Sequence, residues 1–206
     1  PAKDYKKVGN GDTGLNTGGM GNVCPSPEFT QEHFEDFKKN ILNPTLKGLK
    51  EEGLEFQGVI FFGLMVTADG AYLLEYNMRL GDPETQSILP LLENNLLDVI
   101  EDCLEGKEIN LKFRNKKAVC LVVCSGGYPG TIQTGLKISG LDKIEHSQVL
   151  FAGARTEDSK ILTSGGRVAN IVAIGDTYEE AREKVYADAK HLKFDYAFHR
   201  DDIAKF

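Results

Sequence analysis

The chain has 206 residues, of which 41% are hydrophobic and 27% charged, with a net charge of −7. This suits one large or two small globular domains. There is no long basic run, which argues against nucleic acid as the main partner, because phosphate contacts need clustered Lys and Arg. A small phosphorylated ligand is still allowed, since it needs only a few amides and one or two cations. No apolar run reaches the roughly 18 residues of a membrane helix and no signal peptide is visible, so a cytoplasmic location without membrane partners is expected.

The chain opens Pro1-Ala2-Lys3-Asp4-Tyr5 with no leading helix or strand, which reads as a segment of a longer protein. Residues 9–27 carry six glycines and two prolines and read as one long loop. Residues 30–52 read as a helix with Phe34, Phe37 and Ile41 on one stripe, continued by Leu46 and Leu49. Pro44 is expected to break or kink it, and Gly53 to end it. A hairpin follows: Val59 to Val66, a turn at Asp69-Gly70, then Ala71 to Tyr76. After a polar connection from Asn77 to Glu84, a helical region runs to about Leu104. Ile88, Leu91, Leu92, Leu96, Val99, Ile100 and Cys103 form one broad face, and Pro90 divides the region.

Beyond residue 110 the composition shifts to short strands with Gly turns. Strands are expected over Ala118 to Cys124, around Lys137, and over Val149 to Ala152, Lys160 to Thr163 and Arg167 to Ile174. A closing helix begins with the capping pair Thr177 and Glu180 and buries Ala181, Val185, Ala189 and Leu192. Cys24, Cys103, Cys120 and Cys124 match no zinc spacing. Cys120 and Cys124 lie about 13 Å apart along a strand, too far to bridge, so reduced cysteines are expected. A domain boundary is placed at about residue 113.

Three segments carry candidate chemistry. In Glu75-Tyr76-Asn77, strand alternation sends Glu75 and Asn77 to one side and Leu74 and Tyr76 to the other, where the latter two can bury. Glu75 and Asn77 then offer two hard oxygen ligands suited to Mg²⁺, or else form the solvated face of an edge hairpin. The next segment, Arg79-Leu80-Gly81-Asp82-Pro83-Glu84-Thr85, packs a cation, a Gly turn and two carboxylates together. Arg79 can fork onto a carboxylate or phosphate, and Asp82 and Glu84 can hold an amine, hydroxyls or a metal. An ordinary polar turn leading into a helix is the other reading. The third segment, Asp12-Thr13-Gly14-Leu15-Asn16-Thr17-Gly18-Gly19-Met20-Gly21, can bring amides and hydroxyls to an anion, or be a surface loop. It is neither a Walker loop nor a dinucleotide fingerprint. His33, His146, His191 and His199 are scattered and read as structural or surface residues, and Gly165-Gly166-Arg167 reads as a tight strand connection in preference to a substrate contact.

The runs DTGLNTGGMG, LLEYNMRLGDPETQ, SGGYPG and TSGGRV, in this order, resemble glycinamide ribonucleotide synthetase, and RLGDPETQ is the most specific of them. The resemblance covers essentially the whole chain and corresponds to the second half of a typical family member. It implies an α+β fold. Residues 1–113 would be the C-terminal part of an ATP-grasp domain, an antiparallel sheet with helices. Residues 114–206 would be a small β-rich domain of sandwich-hybrid type with one helix.

The implied reaction joins glycine to 5-phosphoribosylamine at the expense of ATP, through a glycyl phosphate. Glu75 and Asn77 would hold Mg²⁺ or Mn²⁺ on the ATP phosphates, and Arg79 would be catalytic, stabilising charge on the glycyl phosphate. Substrate would be bound by Asp12, Thr13, Asn16, Thr17, Gly18, Gly19, Met20 and Gly21 together with Asp82, Pro83 and Glu84. An N-terminal half of the same chain would supply the remaining ATP contacts, so the isolated 206 residues are expected to be inactive. Two alternatives stay open: another ATP-grasp carboxylate–amine ligase, and a non-catalytic binding module of the same fold.

Overall fold

A computed structural model describes all residues from Pro1 to Phe206. In chain order the elements are β1 (Lys3–Asp4), β2 (Lys7–Gly9), β3 (Thr13–Asn16), β4 (Gly21–Cys24), α1 (Gln31–Phe37), a π-helical turn (Lys38–Leu42) and α2 (Asn43–Glu51). Then come β5 (Phe61–Thr67), β6 (Gly70–Asn77), α3 (Thr85–Ile88), a 3₁₀ turn (Leu89–Leu91) and α4 (Leu96–Leu104). The remainder is β7 (Lys117–Cys124), β8 (Gln148–Phe151), β9 (Ala154–Glu157), β10 (Lys160–Thr163), β11 (Arg167–Gly175) and α5 (Tyr178–Ala189), with a 3₁₀ turn at Leu141–Lys143. The chain is thus a mixture of helices and antiparallel sheet. No helix is long and apolar enough to cross a membrane.

These elements fold into two compact units. The first comprises Pro1–Pro25, Asp82–Leu91 and Arg114–Phe206, and the second Ser26–Gly81 and Leu92–Phe113. One of the junctions between them falls at Phe113/Arg114. Residues 1–25 and 82–91 nevertheless belong with the C-terminal part.

The first unit is built on a five-stranded antiparallel sheet of order β1-β4-β7-β11-β8. β7 is its centre. Val119, Leu121 and Val123 join a core with Ile171 and Ala173 of β11 and with Ala181, Val185 and Ala189 of α5. The opposite face of β7 packs Val122 and Cys124 with Met20, and Ala118 with Cys24 and Leu91. A strand covered on both faces has no polar side to show, which explains its unbroken apolar run. Thr177 caps α5 by accepting the Glu180 amide at 3.1 Å, and all four predicted inward residues, Leu192 included, are buried. The four cysteines are free thiols.

The second unit packs α1 and α2 against the β5–β6 hairpin. Phe37 meets Phe62 edge-on at 5.2 Å, and Phe62 meets Tyr76 at 5.5 Å. Asp36 Oδ2 accepts the Ala71 amide at 2.9 Å, tying α1 to the start of β6. Pro44 does not break the helix. It stands in the first turn of α2, where a missing N–H costs nothing, and the π turn absorbs the mismatch. Gly53 ends the segment in the left-handed region, φ +65°.

Several expectations are corrected. Residues 9–27 are not one loop, for they contain most of β2–β3 and all of β4, the last fully buried. Four residues are too few to show strand periodicity, and β4 exists because β1 and β7 flank it. Lys137 makes only an isolated bridge to Leu162, and β9 pairs with β10 in a hairpin that the sequence did not signal. The broad apolar face over 88–104 is split. Ile88 and Leu91 pack in the first unit, whereas α4 buries no residue at all.

Candidate active site

The hairpin places one group of candidates, all within the second unit. Phe61 pairs with Asn77 and Gly63 with Glu75, after which the register shifts so that Leu64 faces Leu73. The extra residue is Leu74, a β-bulge that the strict alternation did not anticipate. Neither Leu74 nor Tyr76 buries, being 63% and 47% exposed, and Tyr76 Oη shares a hydrogen bond with Thr45 Oγ1 over 2.7 Å.

Glu75 and Asn77 do leave the strand on the same side. Asn77 Nδ2 donates to Glu75 Oε1 at 3.0 Å. Arg79 closes the series, with Nη2 donating to Asn77 Oδ1 at 3.2 Å and Nη1 to the Leu80 carbonyl at 2.9 Å. The donor set of carboxylate plus amide oxygen fits a hard divalent cation that keeps waters and phosphates as its other ligands. Presenting both oxygens to one ion requires turning the Asn77 amide, because its Nδ2 now faces Glu75, and that turn removes the oxygen Arg79 uses.

The remaining candidates lie in the first unit. Its glycine-rich segment is tied down residue by residue. Asp12 Oδ1 is ion-paired with Arg200 Nη1 at 2.8 Å. Thr13 Oγ1 donates to the Asn10 carbonyl at 2.9 Å, and Asn16 sits opposite Lys7 in the β2–β3 ladder. Thr17 donates both N–H and Oγ1 to the Lys6 carbonyl, at 2.8 and 2.7 Å, and its Oγ1 also accepts the Gly19 amide at 3.0 Å. The Gly18 amide donates to Tyr128 Oη at 2.9 Å. Met20 N–H donates to the Tyr5 carbonyl, its side chain is fully buried, and Gly21 belongs to β4.

The amides of Thr17, Gly18, Gly19 and Met20, expected as donors to substrate, donate within the protein itself. Met20 and Gly21 are core and sheet residues. Their Gly-rich composition has a packing cause instead. A Cβ on Gly19, at φ +120°, would stand 2.5 Å from Pro83 Cδ and 2.7 Å from Asp4 Oδ1.

Against this segment lies the Asp82-Pro83-Glu84 turn. Fully buried Asn22 donates its amide to the Pro83 carbonyl and accepts from Ser87 Oγ. Glu84 is 5% exposed, and its carbonyl opens α3 by accepting the Ser87 and Ile88 amides at 3.1 Å. Asp82 accepts Gln86 Nε2 at 2.8 Å through Oδ1.

Arg167 joins the two segments. Its Nη1 donates to the Gly18 carbonyl at 2.8 Å and the Asp82 carbonyl at 3.0 Å, and its Nη2 pairs with Asp82 Oδ2 at 2.9 Å. Arg167 is therefore more than part of a strand connection. Gly166 is what lets Tyr128 approach, since a Cβ there would be 2.3 Å from the Tyr128 ring.

Asp4 and Lys6 complete the cluster and went unnoticed in the sequence. The Asp4 side chain is 9% exposed. It is ion-paired with Lys6 through Oδ2, while Oδ1 has no hydrogen-bond partner. Burial, reinforced by the Glu84 charge and offset by Lys6 and Arg167, pushes the Asp4 carboxyl up to about 6. For Lys6, burial works against the ammonium, but the Asp4 pairing outweighs it and raises the pKa.

Comparison with known proteins bears on what these groups do. Residues 1–85 match the family described as phosphoribosylglycinamide synthetase, ATP-grasp (A) domain, and residues 118–206 match phosphoribosylglycinamide synthetase, C domain. The phosphoribosylamine–glycine ligase of Caldanaerobacter subterraneus subsp. tengcongensis is 47% identical over 98% of this chain and 49% of its own length. That of Fusobacterium nucleatum is 48% identical with the same coverage. The solved structure of the Thermotoga maritima phosphoribosylamine–glycine ligase superposes with a TM-score of 0.89 at 35% identity, over 98% of this chain and 50% of that one. N5-carboxyaminoimidazole ribonucleotide synthetase from the same organism, at 14% identity and a TM-score of 0.59, shares the fold alone. The chain spans about half the length of the curated relatives it matches.

Proposed function

Because the chain belongs to the phosphoribosylglycinamide synthetase family, we propose that it is the C-terminal half of an ATP-dependent ligase joining glycine to 5-phosphoribosylamine. The observation that carries this reading is identity of 47% sustained over 98% of the chain, through both domain families. The finer fold assignment goes with it. Residues 1–113 are the C-terminal part of the ATP-grasp domain, residues 114–206 a sandwich-hybrid-type domain, and the location is cytoplasmic.

In this reading a glycine carboxylate oxygen attacks the γ-phosphorus of ATP and ADP leaves. The phosphoribosylamine nitrogen then attacks the acyl carbon, losing a proton as phosphate leaves. Glu75 and Asn77 hold Mg²⁺ or Mn²⁺, which supplies positioning and charge neutralisation for the phosphates. Arg79, adjacent to that pair, stabilises negative charge on the glycyl phosphate. Asp82 and Glu84 orient the amine or the ribose hydroxyls. No nucleophilic side chain is required.

The test is turnover by the complete polypeptide that carries this sequence, followed as glycinamide ribonucleotide formed from glycine, ATP and phosphoribosylamine. The 206 residues alone are expected to bind ATP poorly and not to turn over. Turnover with a different amine only would replace this reading by another carboxylate–amine ligase. Absence of any turnover in the complete polypeptide would favour a binding module.

A further inference from the structure

Gly18 has both of its backbone polar groups held by side chains far away in sequence. Tyr128 Oη accepts its N–H at 2.9 Å, and Arg167 Nη1 donates to its C=O at 2.8 Å. The same guanidinium holds the Asp82 carbonyl at 3.0 Å and the Asp82 carboxylate at 2.9 Å. It also lies flat under Gly18, where an added Cβ would be 3.0 Å from Cζ. Three chain segments thus meet on one planar, permanently charged group whose donors fan out in a fixed geometry. The guanidinium is largely buried, its side chain being 20% exposed, so the bonds are poorly replaced by water.

The structure assigns Arg167 as a positioning residue: with Tyr128, which holds the peptide on the other side of Gly18, it fixes Gly18 against the Asp82 turn and sets the direction in which Asp82 offers its carboxylate. Asp82 has two oxygens. Oδ2 is taken by Arg167 and Oδ1 points to Gln86 on α3, so its orientation is set from both sides. This inference rests on the ligase reading, in which Asp82 orients the amine substrate. A misplacement of about 1 Å at such a site costs on the order of 100-fold in rate. Lys in place of Arg167 keeps the charge but reaches fewer of the three acceptors at once.

Two measurements test it. Amide hydrogen exchange on the chain itself reads the clamp without reference to any reaction. Gly18 should exchange about 10-fold faster or more in Arg167→Met and Tyr128→Phe, with β7 and β11 amides unchanged. Steady-state kinetics of the complete enzyme reads the consequence. Arg167→Met should lower kcat/KM for phosphoribosylamine by about 100-fold while the KM for ATP moves less than about twofold, with partial rescue in Arg167→Lys.

Unchanged Gly18 exchange in both variants overturns the clamp. Losses spread equally over all substrates, tracking a fall in melting temperature, overturn the positioning role. If Arg167→Met does not fold, Tyr128→Phe and Arg167→Lys decide by the same two readouts. If the wild-type enzyme makes no glycinamide ribonucleotide, the ligase reading fails, and the exchange at Gly18 still decides whether Arg167 holds the loop.

Discussion

Asn77 donates its side-chain amide to Glu75 across 3.0 Å on one side of the β5–β6 hairpin, and Arg79 donates to the oxygen of the same amide at 3.2 Å. Two residues two apart on a strand share a face, so their side chains meet without any help from the rest of the protein. In this arrangement the Asn77 oxygen serves Arg79 and its Nδ2 serves Glu75, so the metal site proposed above needs the amide to turn before both oxygens face one cation.

Glu75→Ala removes the charged member of that corner. Mn²⁺ affinity, read by EPR on the complete enzyme, should fall by at least about 10- to 100-fold, and turnover should fall with it. Asn77→Asp keeps an oxygen at the same place and should retain Mn²⁺ binding. Wild-type affinity in Glu75→Ala would remove the pair from the metal assignment.

The Asp4 carboxyl gives a pH dependence whose sign is fixed. Its pKa rises from 3.8 to about 6 on folding, so between those values the native state binds more protons than the unfolded state. Stability contributed by this group is therefore present at the acid end and lost as pH rises through the window. The shift corresponds to about 3 kcal/mol. Asp4→Asn should flatten the fall in urea midpoint between pH 4 and pH 7, and parallel curves for variant and wild type would contradict the burial of this carboxylate.

Arg200 is 1% exposed. It donates Nε and Nη2 to Asp202 at 2.8 and 2.7 Å, and Nη1 to Asp12 at 2.8 Å and to the Lys7 carbonyl at 3.0 Å. It ties the β2–β3 hairpin to the C-terminal segment. Arg200→Met should cost about 3 kcal/mol in denaturant unfolding. Asp12→Asn, at a far more exposed partner, should cost about 1 kcal/mol or less. A reversed order would contradict the assignment of the buried, costly charge to Arg200.

Thr177 accepts the Glu180 amide at 3.1 Å and opens α5, whose inner face packs on the central sheet. Thr177→Ala should lower stability by about 1 kcal/mol. Thermal melts of the two proteins measure it, and an unchanged melting temperature would show that packing alone fixes the start of this helix.

What was legible in the sequence is what neighbouring residues settle among themselves. The β5–β6 hairpin follows from its Asp-Gly signal, although the loop is Ala68-Asp69 and Gly70 already opens β6. The buried face of α5 follows from spacing, and the convergence of Glu75 with Asn77 from strand geometry. Even there a single bulge at Leu74 was invisible, since one extra residue leaves composition and spacing almost unchanged. β4 could not be read from Gly21–Cys24, because a four-residue strand is defined by the partners on either side of it.

The amino-acid sequence by itself determined the family, the capped helix and the hairpin corner, because each depends on contacts within a few residues or on motifs kept in order. Only the tertiary structure decided that Arg167 grips Gly18, 149 residues away, that Arg200 reaches Asp12 over a separation of 188, and that Asp4 lies buried beside Lys6. A long cationic side chain has no local signature of its destination. Its hydrogen bonds are settled by which backbone carbonyls and carboxylates the assembled sheet leaves within reach.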